Sequence, residues 1–215
     1  MKAMGGQDMQ EILLLILQGE SDTLEFKKTI THPDRIARTL VSFANTRGGQ
    51  ILVGVLDNGL ICGVDPEEEK FTLEKAISFY CDPPVLVTYD EIEMEEGTIL
   101  RVTIPESTRK PHLAKVKDQD WRGYIRVKDE SVQTSRLVEK SLQLEPDPEP
   151  AQEPGDHHKK MILLLLQKHR KLTAKQLMHY ANLSRRRTNR LLVELVLQGQ
   201  VRLHDKEKVP FFTLS

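Results

Sequence analysis

The chain has 215 residues, enough for one large domain or two small ones, with 39% hydrophobic and 29% charged residues. Two cysteines, Cys62 and Cys81, are too few for a disulfide framework or a four-ligand zinc site, and the longest apolar runs, Ile12–Leu17 and Met161–Leu166, fall far short of the roughly 20 residues that cross a bilayer. The net charge of −1 conceals two opposed regions: Asp156 to Ser215 carries thirteen Lys/Arg against four Asp/Glu, and everything before it eighteen against twenty-eight. With no signal peptide at the N-terminus, these features describe a cytoplasmic protein with no membrane partner. The charge asymmetry points to a partner with a charged backbone, most often nucleic acid.

Met9–Gln18 is a short, very apolar helix that Gly19 stops. Leu24–Ile30 alternates as a strand, with Leu24 and Phe26 on one face and Glu25 and Lys27 on the other. Pro33–Thr46 places Ile36, Leu40, Val41 and Ala44 at helical spacing. Gln50–Leu56 is a β-branched strand, Asp57-Asn58-Gly59 a turn, and Leu60–Val64 the return strand. Glu67–Tyr80 is a helix opened by Pro66 and an acidic first turn. Val85–Met94 and Thr98–Ile104 form a hairpin, Gly123–Val127 a later strand, and Thr134–Leu142 a closing helix. The expected class is α+β or mixed-sheet α/β over residues 1–142. Residues 143–156 hold four prolines and five acids and read as an extended linker.

Residues 157–215 read as three helices and a hairpin, the winged helix-turn-helix layout. His158–His169 is the first helix. Thr173 caps the second, which runs to Ala181, and Ser184 caps the third, which runs to Gln198 before Gly199. Val201–Leu203 and Pro210–Leu214 flank a charged tip containing Lys206 and Lys208. The third helix opens with Arg185, Arg186, Arg187, Asn189 and Arg190. In helix-turn-helix proteins the start of the second helix of the motif enters the major groove, where Arg reads guanine and Asn reads adenine. These residues are therefore expected to contact double-stranded DNA, with Lys206 and Lys208 on the flanking backbone. The five histidines of this region lack metal-ligand spacing and read as surface residues.

Three N-terminal stretches carry a further signal: Glu20-Ser21-Asp22-Thr23-Leu24-Glu25-Phe26-Lys27, Phe43-Ala44-Asn45-Thr46-Arg47-Gly48-Gly49, and Gly54-Val55-Leu56-Asp57-Asn58-Gly59. In this order and spacing the chain resembles the Schlafen AlbA-type domain family, and Lys110-Pro111-His112 and Tyr124-Ile125-Arg126-Val127 extend the likeness. The resemblance implies a mixed α/β nucleic-acid-binding domain, of a kind that in bacteria often precedes a winged helix. In the eukaryotic branch, the residues matching Glu20, Glu25 and Asp57 form a three-carboxylate nuclease site. If that role carries over, these residues are both catalytic and metal-binding, with Mg²⁺ or Mn²⁺ as the ion.

Taken for themselves, the same residues have plainer readings. Asn45 through Gly49 is a helix-to-strand junction, favoured over a phosphate cradle. Glu20 and Ser21 shape the approach to a strand, and Asp57 serves its turn. Lys27 either neutralises a phosphate or pairs with Glu25, and the loop of Lys110 and His112 either faces phosphate, with Trp121 and Tyr124 to stack on bases, or is an ordinary basic loop over an aromatic core cluster. The resulting expectation is a DNA-binding transcriptional regulator whose AlbA-type domain takes a second nucleic acid such as RNA, an effector or another subunit. The rival readings are a metal-dependent endoribonuclease and a protein-docking adaptor. Homodimerisation is common among winged-helix regulators, but no heptad seam specifies it here.

Overall fold

The computed structural model describes residues 5–134, 139, 142, 155–204 and 209–215. It divides into two compact units, Met1–Gln133 and Thr134–Ser215.

The first unit holds two four-stranded sheets. Strands β1 (Leu24–Lys27), β2 (Gly49–Val53), β4 (Thr88–Met94) and β5 (Gly97–Ile104) form one sheet in the order β1-β2-β5-β4. β1 and β2 are parallel, with Leu24 opposite Gln50, and helix α2 (Pro33–Asn45) makes the crossover that a parallel pair requires. The other pairs are antiparallel. The second sheet runs β3 (Cys81–Asp82), β6 (Leu113–Lys117), β7 (Asp120–Val127) and β8 (Glu130–Gln133), antiparallel throughout.

Helix α1 (Gly5–Gln18) covers the outer face of the first sheet, where Ile12 joins Leu24, Phe26, Leu52, Ile92 and Ile99. On the inner face, α2 and α3 (Pro66–Tyr80) lie between the two sheets. α2 packs on β6, β7 and β8, and its Ile36, Leu40 and Phe43 share a core with Ile51 of β2 and Val102 of β5. Burial of such side chains contributes about 1.5–3 kcal/mol each. Every residue of α2 from Ile36 to Asn45 except Arg38 is buried. Pro33 sits in its first turn, and Phe43 O receives Thr46 N–H at 3.0 Å and Gly48 N–H at 2.9 Å at its end.

The mixed α/β class agrees with the expectation; β4 starts at Thr88 rather than Val85, β2 ends at Val53 rather than Leu56, and two further departures have a visible cause. Leu60–Val64 is not a return strand. Val55 and Ile61 form an isolated bridge, because Gly54, Gly59 and Gly63 all take positive φ and turn the chain repeatedly. β1 ends at Lys27 rather than Ile30, since Ile30 N–H leaves the sheet to meet Glu69 Oε2 at 2.8 Å. The expected Thr134–Leu142 helix and the proline-rich linker fall largely outside the described residues.

In the second unit, helices α4 (Gly155–His169), α5 (Ala174–Ala181) and α6 (Arg185–Leu197) precede the antiparallel strands β9 (Val201–His204) and β10 (Phe211–Leu214). Ile162, Leu166, Leu177, Leu191, Leu192, Leu195, Val201 and Phe212 form its core. Leu172 pairs with Phe212 through two backbone hydrogen bonds, tying the approach to α5 onto β10. Thr173 and Gln176 form a reciprocal capping box, Asn182 closes α5 in the left-handed region, and Gly199 takes φ +65° after α6. Among the described residues, no helix is long and apolar enough to cross a membrane.

Candidate nucleic-acid interface

α6 is oriented by its buried side. Thr188, Leu191, Leu192 and Leu195 face the core, and Thr188 Oγ1 donates to Ser184 O at 3.0 Å. Ser184 Oγ caps the helix by accepting Arg187 N–H at 3.3 Å. With that phase set, Arg185, Arg187 and Arg190 are exposed and Asn189 is half-buried. Arg190 Nε meets Glu194 Oε1 at 3.2 Å, and Glu194 also receives Lys159 at 2.8 Å. Arg185 and Arg187 have no ion-pair partner among the described residues. The first turn contains no acid. Cations there oppose the helix dipole by about 0.3–1 kcal/mol each, and an anion at that end would offset the penalty. The side chain of Arg186, and Lys206 and Lys208, lie outside the described residues.

In the first unit, the three residues considered for phosphate contact have partners within the chain, and for Lys27 that partner is the alternative expected from the sequence, Glu25. His112 is buried, with its N–H on Asn45 Oδ1 at 2.7 Å and its Nδ1 and Nε2 each 2.7 Å from Pro83 O and Ser107 Oγ. A carbonyl can only accept, so Nδ1 carries the proton and Nε2 accepts from the serine. Burial, the largest influence, lowers the His112 pKa. This corrects the phosphate-facing reading of His112: the ring lines the interior because both nitrogens find partners there. Tyr124 is likewise buried. Lys110 Nζ donates to Thr46 O at 3.0 Å and pairs with Glu106, and Lys27 pairs with Glu25.

The Asn45–Gly49 segment is the structural junction that the residues favoured. Asn45 Nδ2 donates to His112 O and Tyr124 O at 2.8 and 2.9 Å. The Gly48 N–H is taken up by Phe43 O and is not offered to a phosphate.

The three carboxylates are held in different ways. Glu20 Oε1 accepts Phe26 N–H at 2.8 Å. Glu25 is buried, with Oε1 on Lys27 Nζ and Oε2 on Arg126 Nη2. Asp57 is exposed in its turn, where Asn58 Oδ1 accepts Leu60 N–H at 3.1 Å. Mg²⁺ or Mn²⁺ requires several oxygens turned to one point. Among the described residues, no group of three His, Cys, Asp or Glu is placed to hold a metal ion. The donor set in this arrangement does not fit the ion, since both oxygens of Glu25 already serve cations of the chain.

Arg126 was not among the expected site residues. Its side chain is 1% exposed, its guanidinium carbon lies 4.8 Å from the Phe43 ring centroid, and it donates to Ser21 O and Ser131 Oγ. The available signal was the strand period, which puts Arg126 on the same face as Tyr124.

The family model described as Schlafen, AlbA_2 matches residues 20–135. No curated protein matches the chain. Among solved structures, the chain is similar to the DIP2311 protein from Corynebacterium diphtheriae, at 17% identity over 75% of this chain and 34% of that one, with a TM-score of 0.44. It is also similar to the N-terminal domain of a RecG-related protein from Nitrosomonas europaea, at 16% identity over 66% of this chain and 97% of that one, with a TM-score of 0.41. The chain thus spans about a third of the first of these structures.

Proposed function

The chain belongs to the Schlafen, AlbA_2 family, and from that premise we propose that it is a nucleic-acid-binding protein that meets duplex DNA through a C-terminal winged helix-turn-helix, as a transcriptional regulator does. The observation that carries this reading is the arginine cluster at the start of α6. Arg185, Arg187 and Arg190 are exposed on a helix whose phase is set by buried Thr188 and Leu191. Asn189, four residues after Arg185, adds a side chain able to read adenine. The order of elements supports the same reading: α5, a short turn at Asn182, α6, then the β9–β10 hairpin.

The first unit is the weaker polyanion binder in this proposal. Residues 1–142 carry eighteen Lys/Arg against twenty-four Asp/Glu, and Lys27, Lys110, Arg101 and Arg126 are all paired with carboxylates.

The test is binding of a labelled duplex by the full chain across a salt series, followed by fluorescence anisotropy. Wild-type affinity should fall steeply with salt. Arg187→Ala combined with Arg190→Ala should weaken binding and reduce the log–log salt slope by about 2, roughly one for each phosphate no longer neutralised. Unchanged affinity in the double variant would overturn the proposal.

A further inference from the structure

We infer that Glu20, Glu25, Lys27 and Arg126 form a metal-independent seal over the free edge of β1, in which the Arg126 guanidinium is the chain's own cation against Glu25. The inference does not depend on whether α6 meets DNA.

The geometry of β1 sets the problem. β1 is the end strand of its sheet, and its pairing with β2 uses Thr23 O, which receives Gln50 N–H, and Lys27 O, which receives Gly54 N–H. The peptide groups of Leu24 and Phe26 therefore point away from β2. Left bare, such an edge is a template for another strand.

Three of these groups, Leu24 O, Phe26 N–H and Phe26 O, have partners within the chain. Leu24 O receives Ser21 N–H at 2.9 Å and Arg126 Nη2 at 3.5 Å. Phe26 N–H goes to Glu20 Oε1, and Phe26 O receives Lys27 Nζ at 2.9 Å. The side chain of Glu25 completes the arrangement by accepting from both cations. The spacing of the motif follows from this edge. Glu20 reaches forward six residues to an amide, Lys27 reaches back one to a carbonyl, and Glu25 sits between them on the inner face.

Charge decides between this reading and a cation site. Glu25 alone meets one lysine and one arginine, while Glu20 is taken up by the Phe26 amide, so the four side chains together carry no surplus negative charge for a divalent ion to balance. An ion on Glu25 Oε2 would have to displace Arg126, which is buried, stacked on Phe43 and bonded to Ser21 O. Removing one partner from such a pair leaves the other charged and unpaired, which is strongly unfavourable. Arg126 lies on β7 and also donates to Ser131 of β8, so the seal fastens the edge of the first sheet to the second.

The test combines native hydrogen exchange with Mn²⁺ titration of the full chain. In the wild type, the Phe26 amide should be protected to the same degree with Mn²⁺ and with EDTA. Glu20→Ala should speed exchange at Phe26 by about tenfold or more while leaving the β2–β5 amides unchanged. Calorimetry should detect no saturable Mn²⁺ uptake that Glu20→Ala or Glu25→Gln abolishes. If Glu25→Gln does not fold, Glu20→Ala alone carries both readouts. The inference is overturned if Mn²⁺ binds saturably and Glu20→Ala removes that binding. It is equally overturned if the wild-type Phe26 amide exchanges as fast as loop amides.

Discussion

Asn45 and His112 hold each other by backbone and side chain in both directions: Asn45 Nδ2 donates to His112 O at 2.8 Å, and His112 N–H donates to Asn45 Oδ1 at 2.7 Å. A third bond, from Asn45 Nδ2 to Tyr124 O at 2.9 Å, adds β7 to the clamp. Asn45→Ala would leave two carbonyls and one amide buried without these partners. The expected loss is about 2–4 kcal/mol in urea denaturation. A variant within about 0.5 kcal/mol of wild type would show that the clamp contributes little.

Gly48 and Gly19 make an internal comparison, since both have φ +75°. A Cβ at Gly48 would lie 2.6 Å from Ile104 O and 2.8 Å from Glu106 N, both backbone atoms that cannot swing aside, whereas one at Gly19 would meet nothing within 4 Å. Gly19→Ala should cost about 1 kcal/mol, the penalty of the left-handed conformation alone. Gly48→Ala should cost at least about 2 kcal/mol more through the added clash. Denaturation midpoints of the two variants read the difference directly.

His112 makes stability depend on pH in a defined direction. Burial lowers its pKa in the folded chain below the ordinary value of 6.5. As pH falls through that value, the unfolded chain takes up a proton that the folded chain refuses. The contribution is therefore complete above about pH 6.5 and declines as the pH drops towards the folded value. Urea midpoints from pH 7.5 to pH 5 should fall in the wild type and fall less in His112→Gln. Parallel profiles for the two would remove His112 as the cause.

The two cysteines should differ sharply in reactivity. Cys62 is exposed, while burial pushes the Cys81 thiol up to about 12. A disulfide reagent at pH 8 should modify one thiol rapidly, and Cys62→Ser should abolish that phase. The Cys81 thiol should react on unfolding. Two fast phases in the native wild type would contradict the burial of Cys81.

Legibility in the sequence followed the range of the interactions. Caps and stops act within a few residues, so Thr173, Ser184 and Gly199 are legible in the local sequence, as is the apolar stripe of α2. Short strands could not. Leu113–Lys117 alternates Leu, Ala and Val with lysine and reads as a basic loop until β7 pairs with it. Glu130–Gln133 is a polar segment whose strand character comes from Tyr124–Val127 alone. The candidate site shows the same division. The arginines of α6 stand out because a helix carries them on consecutive turns. The partner of Glu25 lies 101 residues away, and no local pattern marks an arginine as interior. Asp57 enters a carboxylate trio only through the family resemblance, and sequence order by itself says nothing about where three side chains point.

The placement of α2 limits how the protein can be dissected. A fragment ending at Ile104 would keep every strand of the first sheet, yet it would strip β6, β7 and β8 from a helix that has almost no solvent-facing side. Ser42, Asn45 and Thr46 would lose Ser131, His112, Tyr124 and the Arg126 amide in one cut. Domain-mapping and tagging experiments should therefore treat everything up to Gln133 as indivisible and introduce breaks after it.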